Sequence, residues 1–221
     1  MINKDYILRI AERLGREISI LLGLRQRNKQ EEALIYIDDL LLNTVGFTSR
    51  FLNSLTEETL LQMLSPLGVL NINACLWIAA MLKVEGEIYT EQQQESEAYY
   101  RSLKSLHLYL TALTQEPGIL QSDIAGQINE LLKMLVDYEL PIATQTLLFR
   151  YYEYNGQYAR AEDTLFGLLE TSPVNQELYV QGLGFYQRLQ QKSSQDLVAG
   201  NFSREEVEEG LSELQQFPHN A

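Results

Sequence analysis

Acid–base, nucleophilic or metal chemistry in this chain would have to be built from two histidines, one cysteine and thirty carboxylates. His107 stands between Leu106 and Leu108 in a helical stretch, and His219 stands in the tail. A zinc site needs several His, Cys or carboxylate ligands that converge, and no such cluster is spaced along the chain. No histidine is placed as base for a hydroxyl or thiol nucleophile. No glycine-rich loop of the phosphate-cradling kind is present. Cys75 lies in the apolar run ACLWIAAML, residues 74–82, where it reads as a small core residue. Trp77, in the same run, also reads as core. Asp38-Asp39 and Glu205-Glu206 are sequence neighbours, which point apart on a helix, so they read as solvated surface. The inventory describes a non-enzymatic chain with no catalytic, metal or cofactor-binding residue.

Charge narrows the classes further. The net charge is −13, so phosphate repulsion stands against nucleic acid as a ligand. Residues 1–30 are the exception, with seven Lys/Arg against three acids. Arg9, Arg13 and Arg16 share one helical face, opposite an apolar stripe of Ile7, Ile10, Leu14, Ile18 and Leu21. Such a helix suits an anionic membrane surface or an acidic partner. The same spacing also pairs Arg13 with Glu17 and Glu12 with Arg16, and lets the stripe pack on the next helix, which is the preferred reading. The longest uncharged apolar run is half of the roughly 18 residues of a membrane span. The N-terminus interleaves charges with apolar residues, unlike a secretory signal, and a single cysteine excludes a disulfide framework. A cytoplasmic protein without a membrane span is expected.

The elements that would position these residues are helices. Glycine and proline are sparse, while Leu, Glu and Gln abound. The periodicity predicts helices over 4–27 (N-capped by Asn3) and 30–42, forming an N-terminal hairpin over 1–43. Gly15 and Gly23 inside the first helix predict close approach of another helix. Residues 44–70 read as irregular short helices, with Ser54 or Thr56 as a cap and Ser65-Pro66-Leu67-Gly68 as a stop. Helices follow at 72–91, 95–114 and 122–138, and Pro141 opens the next. Two more span 148–173, joined by a turn at Asn155-Gly156-Gln157, and another covers 175–191. Ser203 and Glu206 form a capping box with Phe202 and Val207 as its staple, starting a helix from Arg204 to Gln216.

Residues 148–173, LFRYYEYNGQYARAEDTLFGLLETSP, resemble a tetratricopeptide repeat. Leu148 and Tyr152 match its first helix, Gly156 its turn, Tyr158 and Ala161 its second helix, and Pro173 its terminating proline. Gln145, Phe149 and Leu165 depart from the pattern. A step of about 34 residues carries Tyr152 to Tyr186. Gly86, Tyr89 and Ala98 repeat the pattern more loosely upstream. The resemblance implies an all-α fold of antiparallel helical hairpins, stacked as a short tetratricopeptide-like solenoid (α-α superhelix). Under it, residues 1–221 are a single all-α domain, with tetratricopeptide-like hairpins over 71–192 and a C-terminal capping region over 193–217.

In such arrays the first helix of each pair lines a concave face. The resemblance therefore implies a partner groove of Thr146, Arg150, Tyr154, Gln187 and Arg188, with two arginines suited to an acidic peptide or a C-terminal carboxylate. The expected function is a protein–protein interaction or adaptor module. The alternative is a homo-oligomer assembled through the first hairpin or segment 44–70, and thirteen tyrosines suit interfaces as well as cores. The chain also resembles a bacterial family of unknown function, on Asp5-Tyr6-Ile7-Leu8-Arg9, Leu21-Leu22-Gly23-Leu24-Arg25 and Phe202-Ser203-Arg204-Glu205-Glu206-Val207. That resemblance implies a bacterial source and brings no activity with it.

Overall fold

A computed structural model describes residues 4–121, 123–171 and 176–217. All regular structure among them is helical. The N-cap at Asn3, the helix start at Ser122, the terminating Pro173 and His219 lie outside the described residues. The chain divides into two compact units, 1–140 and 141–221, and the boundary falls within the 71–192 stretch expected to run as one array.

The first unit is built around a pair of antiparallel helices, α5 (Ile72–Glu91) and α6 (Glu95–Gln115), with α1 (Lys4–Gln26), α2 (Gln30–Val45), α3 (Ser49–Ser54), α4 (Glu57–Met63) and α7 (Ile124–Met134). Helix α5 is buried without a break from Cys75 to Gly86, so it is enclosed on every side rather than amphipathic. Trp77, Ile78 and Met81 are fully enclosed core residues of this helix. The two central helices meet most closely at Gly86, where a Cβ would stand 2.5 Å from Ser102 Oγ and 3.4 Å from the Ala98 carbonyl. The other expected close approaches are absent: a Cβ on Gly15 or Gly23 would meet nothing within 4 Å. Helix α1 instead buries Leu21 completely.

Local signals set the boundaries nearby. Helix α2 runs past its expected end to Val45, because the left-handed Gly46 (φ +83°) caps it, donating its N–H to the carbonyls of Leu41 and Leu42. Thr48 and Thr56 cap α3 and α4 by accepting from the amides of Phe51 and Thr59. The Lys104 ammonium donates to the carbonyls of Leu52, Asn53 and Leu55 at 3.0, 3.2 and 2.6 Å. It thereby satisfies the open C-terminal end of α3 from within α6. Burial lowers the Lys104 pKa from its usual value.

The second unit comprises α8 (Ile142–Tyr154), α9 (Tyr158–Thr171), α10 (Gln176–Gln190), α11 (Ser194–Ala199) and α12 (Arg204–Gln216). Helices α8 and α9 form a hairpin turned by Gly156 at φ +70°. Ala161, Leu165, Phe185, Tyr186, Val207 and Leu214 are fully buried in its core. Helix α10 packs on both α9 and α12: a Cβ on Gly182 would lie 3.0 Å from Leu165 and from Leu214. Helix α11 is an addition to the expected elements, started by Ser193, which accepts from the Asp196 amide. Its end sits on the α8–α9 turn, where a Cβ on Gly200 would stand 2.5 Å from the Gly156 carbonyl. The capping box is present: the Glu206 amide donates to Ser203 Oγ at 3.1 Å, and the Ser203 amide donates to Glu206 Oε2 at 2.6 Å. Phe202 and Val207 are buried beside it, as the staple requires.

Candidate functional site

The residues expected to line a groove lie on α8 and α10. Phe149 and Phe185 hold these helices together edge to face, with ring centroids 5.4 Å apart. Beside this contact opens a cleft of about 280 Å³ whose lining includes Arg150, Glu153, Tyr154, Val180, Gln181 and Arg188. Gly184 is also in its wall, and a Cβ there would lie 3.1 Å from Arg188 Nη1. The missing side chain lets the Arg188 guanidinium lie back along α10. Arg188 forks onto Glu153, with Nε to Oε1 at 2.5 Å and Nη2 to Oε2 at 3.0 Å. The bond from Glu153 raises the arginine's pKa from its usual value.

Arg150 is differently placed. Its Nε donates to the neutral Gln181 Oε1 at 3.4 Å. No ion pair to a carboxylate engages it among the described residues. Tyr154 and Val180 present apolar surface at the cleft, at 41% and 56% exposure. Thus Arg150, Tyr154 and Arg188 come together. Thr146 stands outside the lining, and its hydroxyl donates back to the Ile142 carbonyl one turn earlier at 2.9 Å. Gln187 is exposed and stands outside the lining. Glu153, Gln181 and Gly184 belong to the cleft and were not singled out by spacing. The recurrence Val180–Gly184–Arg188, at four-residue steps on one face, was the signal that could have marked α10's contribution.

The basic first helix packs within its own chain, though not through the ion pairs that its spacing suggests. Arg13 lies over the Trp77 ring at 5.1 Å, and Glu17 accepts from the Tyr36 hydroxyl at 2.7 Å. Among the described residues neither the Arg13–Glu17 nor the Glu12–Arg16 pair forms, and Arg13 and Glu17 engage Trp77 and Tyr36 instead. Arg25, from the same helix, donates to Glu87 and to Glu91 of α5, the latter at 2.5 Å from Nη2. Lys83 bridges Glu87 at 2.5 Å and Glu130 of α7 at 2.7 Å. Glu85, 3% exposed, accepts from Arg101 Nε at 2.9 Å and from the Ser49 hydroxyl at 2.6 Å. These contacts tie α1, α3, α6 and α7 to α5. Arg25, Lys83, Glu85 and Arg101 each have an opposite charge as partner, the arrangement of a structural network.

His107 is buried, which lowers its pKa and holds the imidazole neutral near pH 7. Among the described residues no three His, Cys, Asp or Glu are grouped to hold a metal ion. Cys75 points its thiol at the Leu108 carbonyl 3.3 Å away, and burial pushes its pKa up to about 12. Since the thiolate is the reactive form, Cys75 should resist iodoacetamide at pH 8 in the folded protein and react promptly in denaturant. Fast labelling of the native protein, read by intact mass, would contradict the burial.

No described helix is long and apolar enough to cross a membrane. No curated protein and no solved structure matches the chain. A family model does match, over residues 1–218, which takes in both units and the cleft. On that match the chain belongs to the family of unknown function DUF6483.

Proposed function

We propose that this chain is a non-enzymatic, tetratricopeptide-like interaction module of the bacterial cytoplasm, and that its α8–α10 cleft receives an acidic peptide. The observation that carries this reading is Arg150. In a chain of net charge −13, this half-buried guanidinium faces a cleft with no carboxylate paired to it among the described residues. A guanidinium offers two parallel donors to a carboxylate, and a charged bond of this kind is worth about 1.5–3 kcal/mol. Tyr154 and Val180 supply apolar contact for a flanking side chain. Arg188, held by Glu153, fixes the orientation of the cleft wall rather than donating a free charge. The α8–α9 hairpin, with Ala161 fully buried and Gly156 at its turn, is the part that supports the tetratricopeptide likeness.

The test is anisotropy of fluorescent peptides ending in Asp/Glu-rich sequences, against the full chain and its Arg150→Glu variant. Arg150→Glu should weaken capture at least tenfold with unchanged helix content, since charge reversal removes the bond and adds repulsion. Equal capture by both proteins, or by neutral peptides of the same length, would reject the cleft reading.

A second reading, self-association through the first hairpin, has its own observation. Ile20, Leu22, Ile35 and Leu42 on α1 and α2 are 42–64% exposed. A molar mass that climbs with concentration, and is lowered to that of one chain by Ile35→Glu, would favour it.

A further inference from the structure

The first unit holds a second opening, unrelated to the peptide cleft. It is a slot of about 140 Å³ between α1, α5, α6 and α7. Leu14, Ile18, Leu76, Ala80 and Ile124 form its apolar walls. Tyr109 of α6 also lines it, and Asp123 and Gln127 stand on its α7 side. Tyr109 is 3% exposed. Among the described residues its hydroxyl makes no hydrogen bond.

A buried tyrosine ordinarily finds a partner for its hydroxyl. Among the described residues, Asn53 Oδ1, Asn73 Oδ1 and Ser102 Oγ are fully enclosed side-chain atoms without a partner. The Tyr109 hydroxyl is a further group without a hydrogen bond among the described residues, and the slot is the opening that Tyr109 lines. We infer that this slot is a binding site for a small, uncharged, largely apolar molecule carrying one hydrogen-bond acceptor, which the Tyr109 hydroxyl engages.

Size, polarity and charge define the ligand class. An engineered apolar cavity of about 150 Å³ admits a molecule the size of benzene, so the slot suits a single six-membered ring or a short branched chain. The walls offer no other buried donor. Burial raises the Tyr109 pKa, and the charges of Asp123, Glu87 and Glu130 act in the same direction. The hydroxyl therefore stays protonated and acts as a donor. The same negative field disfavours an anionic ligand such as a fatty acid. Asp123 is already engaged, accepting from Gln127 Nε2 at 3.1 Å, which leaves Tyr109 as the recognition group. Gly15 forms part of the rim, and a Cβ there meets nothing within 4 Å. Its missing side chain keeps the slot open and makes it possible to close the slot without disturbing the packing.

The experiment uses the full chain and three ring probes of similar size: cyclohexanone, methylcyclohexane and cyclohexanecarboxylate. Binding is read by saturation-transfer NMR and titration of backbone amides, on wild type, Tyr109→Phe and Gly15→Leu, with thermal unfolding to show that each variant is folded. Cyclohexanone should bind wild type, shifting amides of Leu76, Ala80 and Ile124, and the carboxylate should not. Tyr109→Phe should weaken cyclohexanone roughly fivefold, the loss of one hydrogen bond, and leave methylcyclohexane unchanged. Gly15→Leu should abolish both. No binding of cyclohexanone to wild type would overturn the proposal. So would equal affinity in Tyr109→Phe, or binding that survives Gly15→Leu.

Discussion

Arg101→Met is expected to destabilise the first unit by about 3–5 kcal/mol at neutral pH, because it strands the Glu85 carboxylate inside the protein. Methionine preserves most of the apolar stem, so the loss reports charge rather than volume. Arg101 donates to Glu85 at 2.9 Å and also engages Glu97. Burial is the largest influence on Glu85 and raises its pKa above the ordinary 4.5, while Ser49 and Arg101 pull it back down. A carboxyl whose pKa is raised on folding contributes most to stability below its unfolded value. That contribution is lost as pH rises through the folded value. Removing Arg101 raises the folded value further. The defect of the variant relative to wild type should therefore be full at pH 7 and shrink as pH falls through the mid-acid range, where Glu85 enters the core neutral. Urea unfolding followed by the fluorescence of Trp77, the only tryptophan, measures it. A deficit below about 1 kcal/mol at pH 7, or one that grows on acidification, would show that Glu85 is not buried beside Arg101.

Trp77→Ala is expected to cost a similar amount, about 3–5 kcal/mol, by the different route of an unfilled cavity. Trp77 is 1% exposed and belongs to a helix buried around its circumference. Partial collapse is opposed there, because Ile78 and Met81 of the same helix are themselves fully buried. The substitution also removes the ring beneath Arg13, a cation–π contact worth about 0.5–1 kcal/mol at an exposed edge. Helix circular dichroism during urea unfolding is the readout, since the variant has no tryptophan. Trp77→Phe keeps most of the volume and should recover more than half of the loss. A Trp77→Ala protein as stable as wild type would mean that α1 does not close over α5.

How far the fold was legible depended on the range of the interaction. Helix α5 was legible over about 72–91 from its apolar pattern, and the structure adds the cap, Asn71 accepting from the Ala74 amide. Helix α12 was equally plain, since a capping box is a contact across three residues and is visible as Ser203 and Glu206. Helix α7 was overextended, because its flanks at Leu135–Tyr138 are compatible with helix, yet turns end it there. Of the five residues expected at the groove, Arg150, Tyr154 and Arg188 share a cleft. Thr146, one turn before Arg150 on α8, lies outside that lining, because spacing gives the face of a helix but not how far along it the cleft extends.

What the sequence determined by itself is therefore the helical class, the placement of caps and turns, and the absence of any spaced set of metal ligands or phosphate-binding glycines. All of these rest on contacts within a few residues. The tertiary structure alone decided which charges are buried and with whom. Arg25 found Glu87 and Glu91, 62 and 66 residues away, while its α1 neighbours Arg13 and Glu17 gave up a helical pair for Trp77 and Tyr36. It also decided what each glycine is for. Gly86, Gly182 and Gly200 admit a neighbouring element, whereas Gly15 borders open space. A helical period fixes which residues share a face, but the packing of one helix on another fixes what that face meets. Among the described residues, packing gave Arg150 a neutral amide and no carboxylate, and it gave the Tyr109 hydroxyl no hydrogen bond.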